Sequence, residues 1–347
     1  MTLLTVIRCL TCAFHHVSTD TTAPLVFIQE RHPAEMLHRL GKTRTLIYLL
    51  CVTAIGVFSR SSWKFSLYYL NPQESRPCAC RKCLTEGDPW FRELINASPP
   101  PFLSRKYATS EDIFNWWKRL QSEKRNFTFY KETVNNLFQI FPPIPDVVER
   151  SPDRCRTCAV VGNSGNLKGS HYGPLIDFHD VVIRMNRGRV KGYEADVGTR
   201  TTHHVMYPES ATNLSNNTHL VLFPFKMYDF LWLLRSFNPS FANANTRANK
   251  DLVMILNPAF MKYVHEIWLG KKGKYPSTGF LTLALSLQIC DEVNVFGFGA
   301  DRDGNWNHYF EVLKNKNLRT GPHAGTHEYD LIVKLHENQK ITFFKGL

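Results

Sequence analysis

Two histidine segments near the C-terminus carry side chains that could perform acid–base chemistry. In the run NHYFE, His308 stands three residues before Glu311, and further on His323 stands five residues before Glu328. An imidazole titrates near neutral pH, so it can take a proton from a hydroxyl nucleophile or, once protonated, stabilise charge on a departing group. The chain has 14 histidines, and for any single one a structural role is the commoner alternative. His327 is a rival to His323 because it directly precedes Glu328.

A glycine-rich loop offers backbone groups that could bind an anion. The apolar run 159–161 stops at Gly162-Asn163-Ser164-Gly165-Asn166, which is the pattern of a buried strand that enters a tight loop. Such loops suit phosphorylated ligands, because glycines let the backbone N–H groups approach anionic oxygens. The glycine spacing fits neither G-x-G-x-x-G nor G-x-x-x-x-G-K-[ST]. Spacing alone therefore leaves a purely geometric turn as well supported as nucleotide binding.

A second hydroxyl- and glycine-bearing stretch precedes an apolar helix that runs to Cys290. In it, Tyr275 is followed after one proline by Ser277, Thr278 and Gly279. These residue types are typical of a helix cap, and the same geometry presents hydroxyls and N–H groups to an anion. Downstream, Gly297 and Gly299 follow the apolar run VNVF and would allow a ligand to approach closely.

An acidic pair could indicate a metal ion. Asp301 and Asp303 form the D-x-D pattern by which many sugar transferases bind a metal–nucleotide complex, and hard cations prefer such carboxylates. The sequence D-x-D-G is also common turn chemistry. We interpret these residues as a turn.

The elements that position these residues alternate between strands and helices. Strand-like runs at 159–161, 181–183, 219–224 and 252–256 are separated by stretches long enough for crossovers. This alternation predicts an α/β domain with a mostly parallel sheet, whose strand C-termini open onto a ligand crevice. Ile113, Trp116, Trp117 and Leu120 have helical spacing, and we expect the tryptophans to pack in the core.

Composition limits the classes of partner. The 347 residues allow one large domain or two small ones, and the hydrophobic share of 43% supports a sizeable core. A net charge of +12 favours an acidic partner, whether a nucleic acid, an anionic membrane or a small anion. Because basic residues never form a run longer than two, nucleic-acid binding is disfavoured.

The cysteines and the glycosylation triplets bear on the compartment. Of nine cysteines, six lie downstream of the N-terminal region, at positions 78, 80, 83, 155, 158 and 290, and two C-x-x-C pairs among them allow either zinc or disulfides. Four N-x-[ST] triplets favour the secretory pathway and hence disulfides. The candidate glycosylation sites are Asn96, Asn126, Asn213 and Asn216.

The N-terminal region predicts a membrane anchor. Residues 1–45 match no recognisable domain and form a predicted cytoplasmic tail. The apolar run 46–58 is 13 residues long, short of the ~20 that a spanning helix needs, so a buried helix or a signal-peptide core is the alternative. Snorkelling by Arg60 and Lys64 and the excess of basic residues before the run favour a signal-anchor helix over 46–63 with the N-terminus in the cytosol. A short stem, 64–77, then leads to the main body, 78–347.

Several of these stretches resemble one family. CAVVGNSGNL with YGPLIDFHDVVIRMN resembles the large sialyl motif of the animal sialyltransferases, glycosyltransferase family 29, and is closest to the α-2,3 enzymes that act on Galβ1-3GalNAc. YPSTGFLTLALSLQICDEVNVFGFG resembles their small motif, NHYFE their third motif, and His323 with Glu328 their very small motif. The resemblance covers 78–347 and implies a single Rossmann-like domain, a variant of the GT-A type.

The resemblance implies an activity and residue roles. N-acetylneuraminate would pass from its CMP ester to the 3-hydroxyl of a terminal galactose on a glycoprotein or glycolipid, with His323 as base and His308 on the donor phosphate. No metal or cofactor is expected, and the location would be the Golgi membrane with the body in the lumen. The implied disulfides are Cys78–Cys83, Cys80–Cys155 and Cys158–Cys290. The implied donor contacts are Asn163, Asn186, Ser277, Thr278, Gly279, Gly299, Tyr275 and His308, and the acceptor contacts are Gln121 and Tyr275.

One departure from the family pattern leaves alternatives open. Close relatives carry a tyrosine in the region 236–250 whose hydroxyl touches the donor phosphate, whereas this chain has only Phe237 and Phe241 nearby. Either another residue takes that role or donor binding is weaker, as in a catalytically impaired glycan-binding relative. A nucleotide-dependent oxidoreductase is a further alternative, but the dinucleotide fingerprint is missing.

Overall fold

The chain divides into two units, residues 1–73 and 74–347. The computed structural model describes residues 45, 48, 50–57 and 78–347, apart from 85, 146, 148–150, 239–247 and 313–319. In the first unit the described residues are helical. Among all described residues, no helix has both the length and the apolar character that crossing a membrane requires. Most of the tail, the anchor and the stem predicted for 1–77 lies outside the described residues.

The second unit is built on one seven-stranded sheet, and every strand pair in it is parallel. This confirms the predicted α/β class. The spatial order is β5-β4-β3-β2-β1-β6-β7, so the direction of winding reverses between β1 and β6. In sheets of this kind the ligand crevice lies at the C-terminal ends of the strands on either side of the reversal. The strands are β1 (Thr157–Val161), β2 (Val181–Met185), β3 (His203–Met206), β4 (His219–Leu222), β5 (Val253–Ile255), β6 (Glu292–Phe296) and β7 (Thr342–Phe344).

Helices cover both faces of the sheet. They are α1 (Pro89–Asn96), α2 (Glu111–Lys118), α3 (Phe127–Ile140), α4 (Gly173–Asp177), α5 (Glu194–Val197), α6 (Met227–Ser236), α7 (Pro258–Tyr263), α8 (Thr278–Ile289) and α9 (Gly325–Glu337). Helix α8 packs against β1, β2 and β6, and nearly all of its residues are buried. A helix that is apolar on every side must lie inside the protein, which accounts for its central position.

Alternate residues of the central strands supply two cores. In β1, Cys158 and Val160 join the main core, whereas Ala159 and Val161 join a smaller core on the other face. Both faces of a parallel sheet are covered, so its strands are apolar throughout. Trp117 is fully buried and Trp116 is 9% exposed, which agrees with the expected core packing.

Two disulfides lie in the segment that precedes β1, and a third joins β1 to the residue after helix α8. Cys78 pairs with Cys83, Cys80 with Cys155 and Cys158 with Cys290, and their Cα atoms lie 5.9, 4.6 and 6.1 Å apart. These are the pairs that the family resemblance implies. Glu292 approaches Cys80 and Cys155, but their sulfur atoms are bonded to each other, and a metal needs free thiolates.

Candidate active site

A cleft of about 440 Å³ opens where the winding of the sheet reverses. It gathers residues from the loops after β1, β2 and β6, from the start of α8 and from the segment before α9. Eight of the predicted site residues line it: Asn163, Asn186, Ser277, Thr278, Gly279, Gly299, His308 and His323. Tyr275 packs against His323, and Gln121 is hydrogen-bonded to Tyr275.

The loop after β1 lies so close to the loop after β6 that there is no room for a side chain at Gly162. Its N–H donates to the carbonyl oxygen of Phe296 at 2.8 Å, and a Cβ on Gly162 would come within 2.2 Å of the carbonyl oxygen of Gly297. Ser164 adds a hydrogen bond from Oγ to the carbonyl oxygen of Gly299 at 2.7 Å. The glycine is therefore needed to bring the two walls of the cleft together.

The segment that carries His308 is bound to the same loop. Tyr309 N–H donates to the carbonyl oxygen of Asn163 at 3.0 Å, and Gly165 N–H donates to that of Asn307 at 2.8 Å. These bonds hold the half-exposed His308 imidazole at the cleft, where it stacks on Phe310 with a ring-centroid distance of 5.2 Å.

A carboxylate accompanies His308. Its Nδ1 lies 2.9 Å from Oε1 of Glu311, and its backbone N–H donates to Oε2 at 3.2 Å. Partial burial would raise the pKa of Glu311, but hydrogen bonding and charge from His308 outweigh it and keep that pKa below its usual value. Glu311 is thus an ionised partner that orients the imidazole.

His323 has its tautomer determined by a main-chain contact. Nδ1 lies 3.0 Å from the carbonyl oxygen of Tyr275. A carbonyl oxygen only accepts hydrogen bonds, so Nδ1 carries a proton, and in the neutral imidazole Nε2 then has the lone pair. The Tyr275 ring packs edge-on against the imidazole at 5.0 Å between centroids. His323 is therefore arranged to accept a proton at Nε2.

Gln121 and Tyr275 form a polar pair beside this histidine. Gln121 Nε2 donates to Tyr275 Oη at 2.8 Å, and the side chain of Gln121 is exposed. Partial burial raises the pKa of Tyr275, so its hydroxyl keeps its proton at neutral pH. Gln121 follows α2, which is far from α8 in sequence, and the fold brings the two together.

The rival histidine lies elsewhere. Among the described residues that line the cleft, His323 is present and His327 is not. His327 Nδ1 accepts a weak contact at 3.5 Å from Lys272 Nζ on the surface.

Ser277 caps helix α8 and is itself held by a buried acid. Its Oγ accepts from the N–H of Phe280 at 3.1 Å, while its N–H and Oγ both donate to Glu328, at 2.8 and 2.5 Å. Burial raises the pKa of Glu328, opposed by these two hydrogen bonds. The Ser277 hydroxyl therefore donates its proton to Glu328 and is not available to donate to a ligand. The start of α8 can still offer a ligand its free backbone N–H groups and the Thr278 hydroxyl.

Two asparagines of the cleft also form hydrogen bonds that hold neighbouring segments in place. Asn163 Nδ2 donates to the carbonyl oxygen of Met185 at 3.1 Å. Asn186 adopts a left-handed backbone with φ of 54°, and its Oδ1 accepts from Ser210 Oγ at 3.2 Å. Gly299 has φ of 89°, and a Cβ there would meet the Tyr329 ring at 2.4 Å. These positions have structural roles in addition to any contact with a ligand.

Asp301 organises a turn. Its Oδ1 accepts from the N–H groups of Asp303 and Asn305 at 3.0 and 2.8 Å, and its main chain pairs with Asn305 and Gly304. This agrees with the interpretation of the D-x-D pattern as a turn.

Most of the loop 236–250 lies outside the described residues, and the asparagines of the glycosylation triplets are not among the residues that line the cleft. Phe237 packs on Phe141 with 5.0 Å between ring centroids, and Phe241 lies outside the described residues. The four candidate asparagines are all exposed: Asn96, Asn126, Asn213 and Asn216.

Sequence reasoning missed several residues that line the cleft. Tyr207, Phe298, Trp306 and Thr320 all face it. Burial raises the pKa of Tyr207, so its hydroxyl is a neutral donor beside the candidate donor contacts. Tyr207 could have been found from the segment MYPES, which begins at the last residue of β3. A polar residue at the C-terminal end of a strand in such a sheet faces the crevice.

The parallel sheet, with its cleft where the winding reverses, is of the Rossmann-like type, and a family model specifies the class. The model for glycosyltransferase family 29, the sialyltransferases, matches residues 102–340. The chain belongs to this family.

Named relatives are similar over most of the chain. The CMP-N-acetylneuraminate-beta-galactosamide-alpha-2,3-sialyltransferase 1 of Gallus gallus is 43% identical over 284 residues, which are 78% of this chain and 83% of the relative. The Homo sapiens protein of the same name is 42% identical, with the same coverage of each chain. A crystal structure of a mammalian sialyltransferase in complex with Gal-beta-1-3GalNAc-ortho-nitrophenol superposes with a TM-score of 0.70 at 42% identity, covering 78% of this chain and 100% of that one.

Proposed function

We propose that this chain transfers N-acetylneuraminate from CMP-N-acetylneuraminate to the 3-hydroxyl of the terminal galactose of Galβ1-3GalNAc. The observation that carries the proposal is the contact set of His323. His323 lines the cleft proposed to bind the donor, and its Nδ1 contacts the carbonyl oxygen of Tyr275, whose hydroxyl accepts from Gln121 in the pair proposed to bind the acceptor. The α-2,3-sialyltransferases to which the chain is similar supply the linkage and the acceptor.

The reaction is a single in-line displacement. The galactose 3-hydroxyl oxygen attacks the anomeric carbon of the sialic acid, and its proton passes to Nε2 of His323. The bond from that carbon to the phosphate oxygen of CMP breaks, and its electron pair leaves with the phosphate. His308 contributes positive charge or a hydrogen bond there. The anomeric centre inverts, and no covalent enzyme intermediate forms.

The donor contacts follow the walls of the cleft. Backbone N–H groups at the start of α8 and in the Gly162–Asn166 loop suit anionic oxygens of the donor. Tyr207 is our candidate for the phosphate contact that a loop tyrosine makes in close relatives. The proposal requires no metal, because Asp301 already serves as acceptor within its own turn.

The location is proposed from the sequence. A cytoplasmic tail over 1–45, a signal-anchor helix over 46–63 and a short stem over 64–77 would place residues 78–347 in the Golgi lumen. The disulfides and the exposed glycosylation triplets are consistent with that compartment.

The test is transfer of radiolabelled sialic acid from its CMP ester. Galβ1-3GalNAc, Galβ1-4GlcNAc and a lactosyl lipid serve as acceptors, and a linkage-specific sialidase identifies the product. We expect α-2,3 product on Galβ1-3GalNAc above all. If CMP and the disaccharide bind but no acceptor is sialylated, the chain is a glycan-binding relative instead.

A further inference from the structure

A second cavity is lined by residues that neighbour the proposed acceptor pair in the chain. It has a volume of about 370 Å³. The rings of Trp116 and His265 approach to 5.9 Å between centroids at its wall. Its apolar side and its basic rim are formed by Trp116, Leu120, His265, Arg119, Lys271 and Lys274.

This cavity shares two chain segments with the acceptor pair. Leu120 is the chain neighbour of Gln121, and Lys274 is the chain neighbour of Tyr275. A galactose held by Gln121 and Tyr275 presents its 3-hydroxyl to His323. The remainder of the acceptor would extend from this pair, and the cavity is lined by the pair's chain neighbours.

The loop Lys271–Lys274 is fixed to the segment of the proposed base. Lys274 N–H donates to the carbonyl oxygen of Pro322 at 2.8 Å, and Lys271 N–H donates to that of His265 at 2.9 Å. Gly273 has φ of 74°, and a Cβ there would lie 2.8 Å from the backbone nitrogen of Ala324. The loop backbone is thus held in place while its lysine side chains stay exposed.

The charge around the cavity is not balanced. Arg119, Lys271, Lys272 and Lys274 make no ion pair within the part of the chain that the structure describes. Glu266 is the carboxylate at the cavity, and it lies 3.9 Å from Lys262 on its own helical stretch. Four cations beside one carboxylate, which also contacts Lys262, leave an excess of positive charge that attracts an anionic partner.

We propose that this cavity and loop bind acidic side chains of the peptide that carries the acceptor glycan. The proposal rests on the proposed function and adds a substrate class to it, namely O-glycopeptides with Asp or Glu near the glycosylated residue. An extended peptide advances about 3.3–3.6 Å per residue, so successive carboxylates could reach cations spread along one loop. Trp116 and Leu120 are nearly buried and form the inner wall of the cavity. A concave site of about 370 Å³ admits single side chains of a peptide, which a flat anionic membrane does not present.

The test compares two glycopeptides that differ only in flanking charge. Both carry Galβ1-3GalNAc on one threonine, flanked by Asp in one and by Asn in the other. We expect the acidic peptide to have a KM about tenfold lower at low salt, because several exposed ion pairs each contribute modestly. At about 0.5 M NaCl the preference should largely disappear.

Matched variants identify the loop as the cause. Lys271→Gln, Lys272→Gln and Lys274→Gln together should abolish the preference while transfer to the free disaccharide is unchanged. The control, Lys106→Gln, Lys131→Gln and Lys191→Gln, removes the same charge from exposed positions elsewhere and should keep the preference. Binding of the acidic peptide without donor, followed by fluorescence anisotropy, should weaken in the same variant.

Three results would overturn the inference. These are equal KM values for the two peptides in the wild type, a preference that survives in the loop variant, and a preference lost equally in the control. Loop-dependent binding to phosphatidylserine vesicles without any peptide preference would assign the charge to the membrane instead. Failure to sialylate the free disaccharide would refute the proposed function, and the anisotropy measurement would still decide the peptide site.

Discussion

Glu328 receives both hydrogen-bond donors of Ser277, the N–H at 2.8 Å and the hydroxyl at 2.5 Å. Ser277 is the N-cap of α8, and Glu328 lies in the first turn of α9. The two contacts therefore join the helix that begins at the proposed donor site to the helix that follows the proposed base. They also give the carboxylate five residues after His323 a structural role that is separate from proton transfer.

Removing this acid should destabilise the helix junction. In Glu328→Ala both donors of Ser277 lose their partner in a partly buried site, at a total cost of about 1–3 kcal/mol in the free energy of unfolding. Glu328→Gln keeps an acceptor for the N–H and should cost clearly less. Urea unfolding measures the difference. Equal stability of the alanine variant and the wild type would contradict this role.

His323 should be required for turnover but not for donor binding. Loss of a general base costs about 10²–10⁴-fold in rate, so we expect His323→Ala to lose most transfer. CMP affinity, measured by calorimetry, should stay near the wild-type value because the base contacts the acceptor. His327→Ala is the matched control and should be close to normal. The assignment is wrong if the two variants exchange their effects.

His308 should affect the donor as well as turnover. His308→Ala removes the proposed phosphate partner, and we expect a higher KM for the CMP donor together with a lower kcat. Glu311→Gln keeps the imidazole but removes the carboxylate that orients it, and it should show a smaller change in the same direction. A His308→Ala variant with unchanged donor KM and kcat would exclude this role.

Two buried histidines predict a loss of stability in acid. Burial lowers the pKa of His203 to about 3 and that of His204 to about 4. Because both lie below the unfolded value of about 6.5, the unfolded state binds more protons as the pH falls below that point. The free energy of unfolding should then drop between about pH 6.5 and pH 4, by up to about 1.4 kcal/mol per pH unit for each histidine.

A substitution separates this effect from general acid denaturation. His203→Gln should flatten the pH dependence, whereas the exposed His171→Asn should leave it as in the wild type. Urea midpoints between pH 7.5 and pH 4.5, at intervals of about half a pH unit, provide the comparison. Identical slopes in His203→Gln and the wild type would mean that His203 does not stay neutral in the folded state.

Transfer should not depend on a divalent cation. Asp301 holds its turn through Asp303 and Asn305, so we expect full activity in EDTA. Asp303→Asn should behave like the wild type, because the backbone N–H of residue 303 is the group that Asp301 accepts from. Activity that disappears with EDTA and returns with manganese would show that these carboxylates bind a metal.

Local patterns in the sequence were sufficient for the fold class and for several of the loops that form the cleft. Apolar runs that stop at polar loops identified β1, β2, β4 and β5, each to within two residues at its ends. Hydroxyl residues before an apolar run identified the start of α8, where Ser277 is the cap. These features depend on neighbours within a few residues, which is the range over which strand and helix periodicity act. The family resemblance added the residues that spacing alone could not assign.

Only the tertiary structure decided how distant residues act on one another. The tautomer of His323 depends on a carbonyl oxygen 48 residues away, and the commitment of the Ser277 hydroxyl depends on Glu328, 51 residues away. The meeting of Gln121 with Tyr275 spans 154 residues, and the unbalanced charge of the Lys271–Lys274 loop became visible only beside that pair. The sequence does not encode such pairs in any local period. They arise because parallel crossovers bring the C-terminal ends of separate strands, and the helices that follow them, to one edge of the sheet.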